Sequence, residues 1–200
     1  MWYEMADKKQ WKRYVGYALF LFLSYSIGNA AAVVSTMTLQ PEKVEKEMKT
    51  VAITFDDGPS PAWTPQLLDG LKERNVKATF FLIGENAKNN PELVKREAEE
   101  GHLIGNHTYH HVEITRVPDE TAQEEILMTN EVITGITGEE VSYMRPPFGA
   151  WQKKLEWELD VMPVMWTIDP LDWTTNNEDE IVNKVVTQAK ENDIILLHDC

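Results

Sequence analysis

Short apolar runs alternate with amphipathic stretches along residues 51–200, and this alternation predicts β-strands separated by α-helices. Near-continuous apolar runs such as 194–197 are typical of parallel strands that are buried on both faces. The predicted strands span 51–55, 78–83, 103–105, 143–144, 161–166 and 194–197, and the predicted helices span 65–74, 91–100, 119–134, 151–159 and 178–190. We therefore expect an α/β domain with a parallel sheet, whose functional residues lie at the carboxyl ends of the strands.

The amino-terminal residues follow a different pattern. Residues 14–34 contain no charged side chain and come after a basic cluster at 8–13, which is typical of a membrane-targeting segment. We interpret residues 1–34 as a signal peptide or an uncleaved membrane anchor, because small residues near the end suit cleavage whereas the apolar length suits an anchor. Residues 35–50 are polar and indicate a linker to a domain formed by residues 51–200. Either interpretation places that domain outside the cytoplasmic membrane.

Charge and composition narrow the choice of partners. The chain has 200 residues, a formal net charge of -14 at pH 7 and 42% hydrophobic residues, which suits one domain with an appendage. A protein this acidic is disfavoured as a nucleic-acid binder, and it suits a neutral partner such as an uncharged sugar. Cys200 is the only cysteine, so no intramolecular disulfide can form.

Two adjacent carboxylates, Asp56 and Asp57, come at the end of the first predicted strand, before a predicted sharp turn. Further along the chain, His107 and His111 have the i, i+4 spacing that lets one local segment bind a divalent ion. Asp57 and the two histidines would form a three-ligand metal site with positions open to water and substrate. These ligand types favour zinc, with cobalt, nickel or manganese as alternatives. Judged by their spacing alone, the two histidines are also compatible with an exposed loop that binds no metal, and Asp56 is also compatible with a purely structural role in the turn.

Five segments stand at or just beyond predicted strands, and their residues read TFDDGP (54–59), HTYHH (107–111), RPPFG (145–149), DPLDW (169–173) and LLHD (196–199). In this order they resemble the five motifs of the polysaccharide deacetylase family, carbohydrate esterase family four. The resemblance extends from the first predicted strand to the last residue. It implies that the fold is a distorted (β/α) barrel and that residues 51–200 are a catalytic domain of this type.

The resemblance also implies roles for the charged residues of these segments. Asp56 corresponds to the general base that activates water, and Arg145 corresponds to the residue that contacts this base. His198 corresponds to the general acid that protonates the leaving amine, and Asp172 corresponds to its carboxylate partner. An opposite charge beside an imidazole raises its pKa above the reference of about 6.5, which suits an acid. Judged without the resemblance, Arg145 is also compatible with a surface position. His198 is then also compatible with a structural histidine that is hydrogen-bonded at the end of a strand.

Two further residues are implied to contact the substrate. The backbone N–H of Phe148 corresponds to a donor that stabilises the oxyanion, and Trp173 is expected to form a wall of the acetyl pocket. For Asp169, orientation of its loop is the alternative to a catalytic role, and His102 and His110 fall on no motif position and stay unassigned.

The activity implied by the resemblance is metal-dependent hydrolysis of the N-acetyl group of an amino sugar in a cell-wall or extracellular polysaccharide, which releases acetate. Peptidoglycan is the first choice of substrate, while chitooligosaccharides and exopolysaccharides stay open. The alternatives are an esterase of the same family that acts on acetylated xylan, and an inactive, truncated sugar-binding fragment. The expected partners are an N-acetylated polysaccharide and, through an uncleaved leader, the membrane. The oligomeric state is not readable from the sequence, and we expect a monomer.

The sequence stops soon after its last predicted strand, at Cys200. Relatives in the family continue with another helix and strand that complete the barrel. From this comparison we expect a barrel truncated at its carboxyl-terminal end, in which the first strand keeps an unpaired edge and stability is reduced.

Overall fold

A computed structural model describes residues 50–151 and 159–200 of the chain. Within these ranges the strands are β1 Ala52–Asp56, β2 Thr79–Leu82, β3 Leu103–Asn106, β4 Tyr143–Met144, β5 Met162–Pro163 and β6 Ile194–His198. The α-helices are α1 Thr64–Glu73, α2 Gly84–Asn89, α3 Pro91–Glu99, α4 Asp119–Thr137 and α5 Glu178–Gln188. Two short 3-10 turns, Pro147–Gly149 and Asp172–Thr174, lie in the loops that follow β4 and β5.

The strands form one parallel sheet in the order β5-β4-β3-β2-β1-β6. The predicted α/β fold with a parallel sheet is therefore confirmed. The expectation that the first strand keeps an unpaired edge is wrong, because β1 pairs with β2 on one side and with β6 on the other. The β6 partner runs the full length of β1, from the pair Ala52 and Ile194 to the pair Asp56 and His198.

One short segment, residues 162–168, contacts β4 through its first residues, which form the edge strand β5, and then contacts β6 at the opposite edge of the sheet. Next to β5, the Val164 N–H donates to the carbonyl of Met144 at the end of β4, over 2.7 Å. At the other edge, Ile168 forms a parallel bridge with β6, and the Leu196 N–H donates to the Ile168 carbonyl over 2.9 Å. The predicted strand at 161–166 is reduced to two residues for this reason, since the chain must leave β4 in order to reach β6.

The helices cover the sheet through two apolar clusters. The larger cluster joins β1 and β2 to α1, α3 and α4, and its fully buried members include Leu68, Phe80, Leu82 and Val94. The smaller cluster packs the start of α4 against β4 and includes Ile114, Ala122, Ile126, Met144 and Val161. Burial of one such large side chain contributes about 1.5–3 kcal/mol to folding.

Helix α2 is an element that the apolar pattern did not predict. It begins directly after β2, and its first residue, Gly84, lies against α4 and the 107–111 loop. A Cβ atom at Gly84 would lie 2.6 Å from both Thr129 Oγ1 and Tyr109 Cδ2, so this position requires glycine for close packing. The predicted helix at 151–159 falls mostly outside the described residues.

The predicted leader at 1–34 and linker at 35–50 lie outside the described residues, except Thr50. In the part of the chain that the structure describes, no helix combines the length and the apolar character needed to cross a membrane.

Glu97 on α3 is fully buried, and neither of its carboxyl oxygens has a hydrogen-bond partner among the described residues. Burial, with a smaller contribution from the negative charge of Asp199, raises the pKa of Glu97 well above its usual 4.5. The folded chain therefore holds a proton that the unfolded chain releases near pH 4.5, and stability falls as pH rises from there towards the folded pKa.

We expect Glu97→Gln to remove this pH dependence, because an amide cannot ionise. Above pH 4.5, wild type should lose up to about 1.4 kcal/mol more unfolding free energy per pH unit than the variant loses. Thermal melting as a function of pH measures the difference, and Glu99→Gln, an exposed position on the same helix, is the control. Parallel curves for wild type and Glu97→Gln would contradict the prediction.

Candidate active site

Eight of the nine predicted site residues line a single cleft at the carboxyl ends of β1, β3 and β6, and the ninth, Arg145, contacts one of them. The cleft has a volume of about 620 Å³. Its lining residues are Asp56, Asp57, His107, His111, Pro146, Phe148, Trp166, Asp169, Asp172, Trp173, Leu196, His198 and Cys200.

Asp57 is the first residue after β1, and its backbone has a left-handed φ of 74°. Neighbouring elements hold this turn from the backbone side: the Asn86 side chain donates to the Asp57 carbonyl over 2.8 Å, and the Ile83 N–H donates to the Gly58 carbonyl over 3.1 Å. As a result, the Asp57 carboxylate points towards the two histidines rather than along the strand.

The loop that carries His107 and His111 is held by side chains from other elements. Asn106 at the end of β3 accepts from the Thr108 N–H over 2.7 Å and donates to the Ile126 carbonyl of α4 over 2.8 Å. Glu125, also on α4, accepts from the N–H groups of Tyr109 and His110 over 2.9 and 2.8 Å.

This loop also contains two residues in the left-handed region, Thr108 at φ 61° and His111 at φ 56°. Such a backbone is disfavoured for residues other than glycine. The buried contacts to Asn106 and Glu125 offset this cost, so the loop is preorganised by the scaffold.

Asp57, His107 and His111 form a group with the composition of a divalent metal site. One ligand atom from each lies within 4.8 Å of the other two, and the Nε2 atoms of both histidines lie 3.3 Å from Asp57 Oδ1. This Oδ1 is buried and has no hydrogen-bond partner among the described residues. The Nδ1 of His107 faces the Arg145 carbonyl at 2.6 Å, which leaves Nε2 free for a ligand bond. The residues present therefore fit a bound divalent cation.

Asp56 lies beside this group and is paired with a buried guanidinium. Arg145 is fully buried, and its Nη1 donates to Asp56 Oδ1 and to Thr54 Oγ1, each over 2.7 Å. Its other nitrogens donate to the carbonyls of Val164 and Met165, and its guanidinium lies over the ring of Phe81. The alternative of a surface position for Arg145 is therefore excluded.

The environment of Asp56 has opposing effects on its acidity. Burial raises the pKa of Asp56 above its usual 3.8, although electrostatic interactions with His107 and Arg145 oppose this. For Asp57, burial also acts to raise the pKa, but the 3.3 Å contact between its Oδ1 and His107 Nε2 and the electrostatic effects of His107 and His111 hold the pKa below 3.8.

His198 lies opposite Asp56 in the register of β6 and β1. Its Nδ1 contacts Asp172 Oδ1 at 2.8 Å, and its backbone N–H donates to Asp172 Oδ2 over 2.8 Å. Burial alone would lower the pKa of His198, but the hydrogen bond and negative charge of Asp172, with the charges of Asp57 and Asp56, raise it above 6.5. The cleft thus places an imidazole that favours its protonated form across from a carboxylate.

Two exposed aromatic residues line the same cleft. Phe148 is 68% exposed, has a φ of 60° and packs edge-on against His111, at 4.9 Å between ring centroids. Trp173 is 67% exposed. The N–H groups of Gly149 and Ala150 donate to backbone carbonyls, whereas the Phe148 N–H has no acceptor among the described residues. It is therefore available to a ligand.

The residues left unassigned by the sequence have supporting roles. His110 Nδ1 contacts Glu125 Oε1 at 2.7 Å, and His102 Nδ1 accepts from the Ala78 N–H over 3.1 Å. Asp169 accepts from the Leu171 N–H over 2.8 Å and so orients its own loop. Sequence reasoning missed Glu125 altogether, because it lies mid-helix with no motif beside it.

Comparison with known proteins gives a consistent result. A family model described as polysaccharide deacetylase matches residues 43–164. A peptidoglycan-N-acetylglucosamine deacetylase of Bacillus cereus is 44% identical over 151 residues, which cover 74% of this chain and 55% of the relative. A peptidoglycan-N-acetylglucosamine deacetylase of Listeria monocytogenes is 42% identical over 154 residues, which cover 77% of this chain and 33% of that protein. The chain therefore spans about half or less of the length of these relatives.

Solved structures agree with the sequence comparison. The structure of the peptidoglycan deacetylase PdaC from Bacillus subtilis superimposes with a TM-score of 0.74 and 38% identity, and the match covers 76% of each chain.

Proposed function

Because the chain belongs to the polysaccharide deacetylase family, we propose that it removes the N-acetyl group from an amino sugar of a polysaccharide and releases acetate. Peptidoglycan is the substrate that we propose first, since the relatives described above are peptidoglycan deacetylases. We further propose that the reaction requires a divalent metal, zinc in the first instance, held by Asp57, His107 and His111. The proposed leader at 1–34 would place this reaction outside the cytoplasmic membrane.

The observation that carries this proposal is the pairing of Asp56 and His198 across the cleft that contains the metal-binding group. Amide hydrolysis needs a base to take a proton from water and an acid to give one to the leaving nitrogen. Asp56 is a carboxylate paired with Arg145, and His198 is an imidazole whose pKa is raised by Asp172, so the cleft contains one group of each required type. A metal bound beside them supplies Lewis-acid polarisation and promotes ionisation of water.

In the proposed mechanism, Asp56 accepts the proton of the attacking water, and its salt bridge with Arg145 holds its carboxylate in place. The free N–H of Phe148 donates to the acetyl oxygen as negative charge develops on it. His198 then donates its proton to the amine nitrogen as the carbon–nitrogen bond breaks, while Asp172 orients the imidazole through Nδ1. Trp173 contributes an apolar wall to the cleft.

The direct test is acetate release by the purified protein, after chelator treatment and again after zinc is restored. Peptidoglycan, N-acetylglucosamine oligomers and acetylated xylan should be compared at equal acetyl concentration. Zinc-dependent release from the two amide substrates supports the proposal. Release from xylan alone would favour the esterase alternative, and no release from any substrate would contradict a hydrolytic role.

We expect activity to depend on pH through His198 and Asp172. The acid must be protonated, so turnover should fall as pH rises through the raised pKa of His198. Asp172→Asn removes the charge that raises this pKa, so the alkaline limb should move to lower pH and turnover at pH 8 should fall by about 10-fold or more. The pH profile of kcat is the measurement.

His198→Ala serves as the companion variant. It should lose amide hydrolysis but retain much of its activity on an activated acetyl ester, whose leaving group needs no proton. An unchanged alkaline limb in Asp172→Asn, or equal losses on both substrates in His198→Ala, would contradict the acid assignment.

A further inference from the structure

Asp199 directly follows the proposed acid, yet it does not line the cleft, and only 4% of its surface is exposed. Its backbone N–H donates to the Asp56 carbonyl over 3.3 Å. Its Oδ2 accepts from the Thr64 hydroxyl over 2.5 Å, and the Thr64 oxygen accepts in turn from the Ser60 N–H over 2.7 Å. Asp199 therefore links the end of β6 to both ends of the turn that joins β1 to α1.

The Asp199 carboxylate also fills the space beneath this turn. A Cβ atom at Gly58 would lie 2.3 Å from Asp199 Oδ1 and 2.8 Å from its Cγ. Gly58 is absent from the glycines with positive φ, so its backbone conformation does not require glycine. Glycine is instead required at position 58 by the carboxylate beneath it, because any side chain there would displace Asp199.

The turn held in this way presents both Asp56 and Asp57. Asp57 has a left-handed backbone, and its ligand atom has to meet two histidines on a separate loop. We propose that Asp199 and Thr64 are positioning residues that hold the turn at 56–58 in the geometry needed for metal binding and proton transfer. Neither side chain touches the cleft, so they act through the turn. This inference rests on the proposed function for its catalytic part, whereas its metal-binding part can be tested without any substrate.

The decisive comparison is Thr64→Val with Thr64→Ser. Valine keeps the shape of threonine but cannot bond Asp199 or Ser60, whereas serine keeps the hydroxyl. Loss of a partner that orients a metal ligand typically costs about 10- to 100-fold in metal affinity or activity. We expect Thr64→Val to weaken zinc binding and to lower kcat, each by about this factor, with KM little changed. We expect Thr64→Ser to keep the zinc affinity and kcat close to the wild-type values. Thr187→Val, an exposed position on α5, controls for the substitution itself.

Zinc affinity should be measured by chelator competition, and the thermal midpoint should be recorded for every variant. A Thr64→Val protein that melts at a lower temperature but keeps the zinc affinity and kcat of wild type would overturn the proposal, because Thr64 would then only stabilise the fold. If wild type binds zinc but hydrolyses no substrate, the proposed function fails, while the zinc comparison still tests the positioning role.

A second test covers the case in which Thr64→Val does not fold. Gly58→Ala should greatly weaken zinc binding in wild type, because the new methyl group collides with Asp199. In an Asp199→Ala background, the same change should have a much smaller effect, since the collision is gone. An equal effect of Gly58→Ala in both backgrounds would overturn the proposal.

Discussion

The double variant His107→Ala, His111→Ala should lose bound zinc and nearly all acetate release. It retains only one of three protein ligands, and Asp57 alone cannot compete with water for the ion. A Lewis-acid metal contributes several kcal/mol to the transition state, and each 1.4 kcal/mol is about tenfold in rate, so kcat should fall by about 10³-fold or more. Metal analysis of the folded variant and steady-state kinetics are the measurements.

His110→Ala is the matched control, because this histidine belongs to the same loop but faces Glu125 instead of Asp57. It should retain stoichiometric zinc. If the folded double variant bound zinc with the affinity of wild type, the ligand assignment would be wrong, and the metal would have to be sought elsewhere.

Asp56→Asn should retain zinc yet lose about 10²- to 10⁴-fold in kcat, which is the usual contribution of a positioned general base. The amide keeps the shape of the carboxylate and still accepts a hydrogen bond from Arg145, but it cannot take a proton from water. Zinc affinity and kcat at saturating zinc separate this role from metal binding, since Asp57 and both histidines are unchanged.

The Asp56→Asn substitution should also lower the free energy of unfolding, because it leaves the buried Arg145 cation without its counter-charge. Loss of one partner of a buried ion pair costs about 3–5 kcal/mol. Turnover must therefore be measured well below the melting temperature of the variant. Asp69→Asn, which breaks an exposed pair with Arg96, is the control for a lost salt bridge. Near wild-type turnover in Asp56→Asn would assign the base elsewhere.

The predicted site residues lie close together in the structure because the local sequence signals coincide with strand ends. Asp56 and His198 come at the ends of predicted apolar strands and His107 directly follows β3, and in a parallel sheet the carboxyl ends of all strands meet at one edge. The motif resemblance added Arg145 and Asp172, whose contacts with Asp56 and His198 no periodicity could reveal.

Features set by contacts between distant residues were not predictable from the sequence. Helix α2 is only six residues long and carries no apolar stripe that would distinguish it from a loop. The apolar run at 161–166 predicts a strand, whereas the path of residues 162–168 from β4 to β6 depends on contacts with both of these strands. The sequence does not distinguish Glu125 from the other acidic residues of its helix, because its hydrogen bonds go to a loop that approaches only in the folded protein.

The central place of β1 between β2 and β6 has a consequence for the order of folding. The Thr54 hydroxyl donates to the Ile195 carbonyl, 141 positions away, and contacts of such long range form slowly because a large loop must close first. The three proposed metal ligands, by contrast, all lie on β1, β3 and their loops. These ligands can approach one another before β6 docks, but the turn that presents Asp57 gains its contacts with Asp199 only when β6 is in place. In refolding experiments, high-affinity zinc binding and hydrolysis should therefore be recovered together.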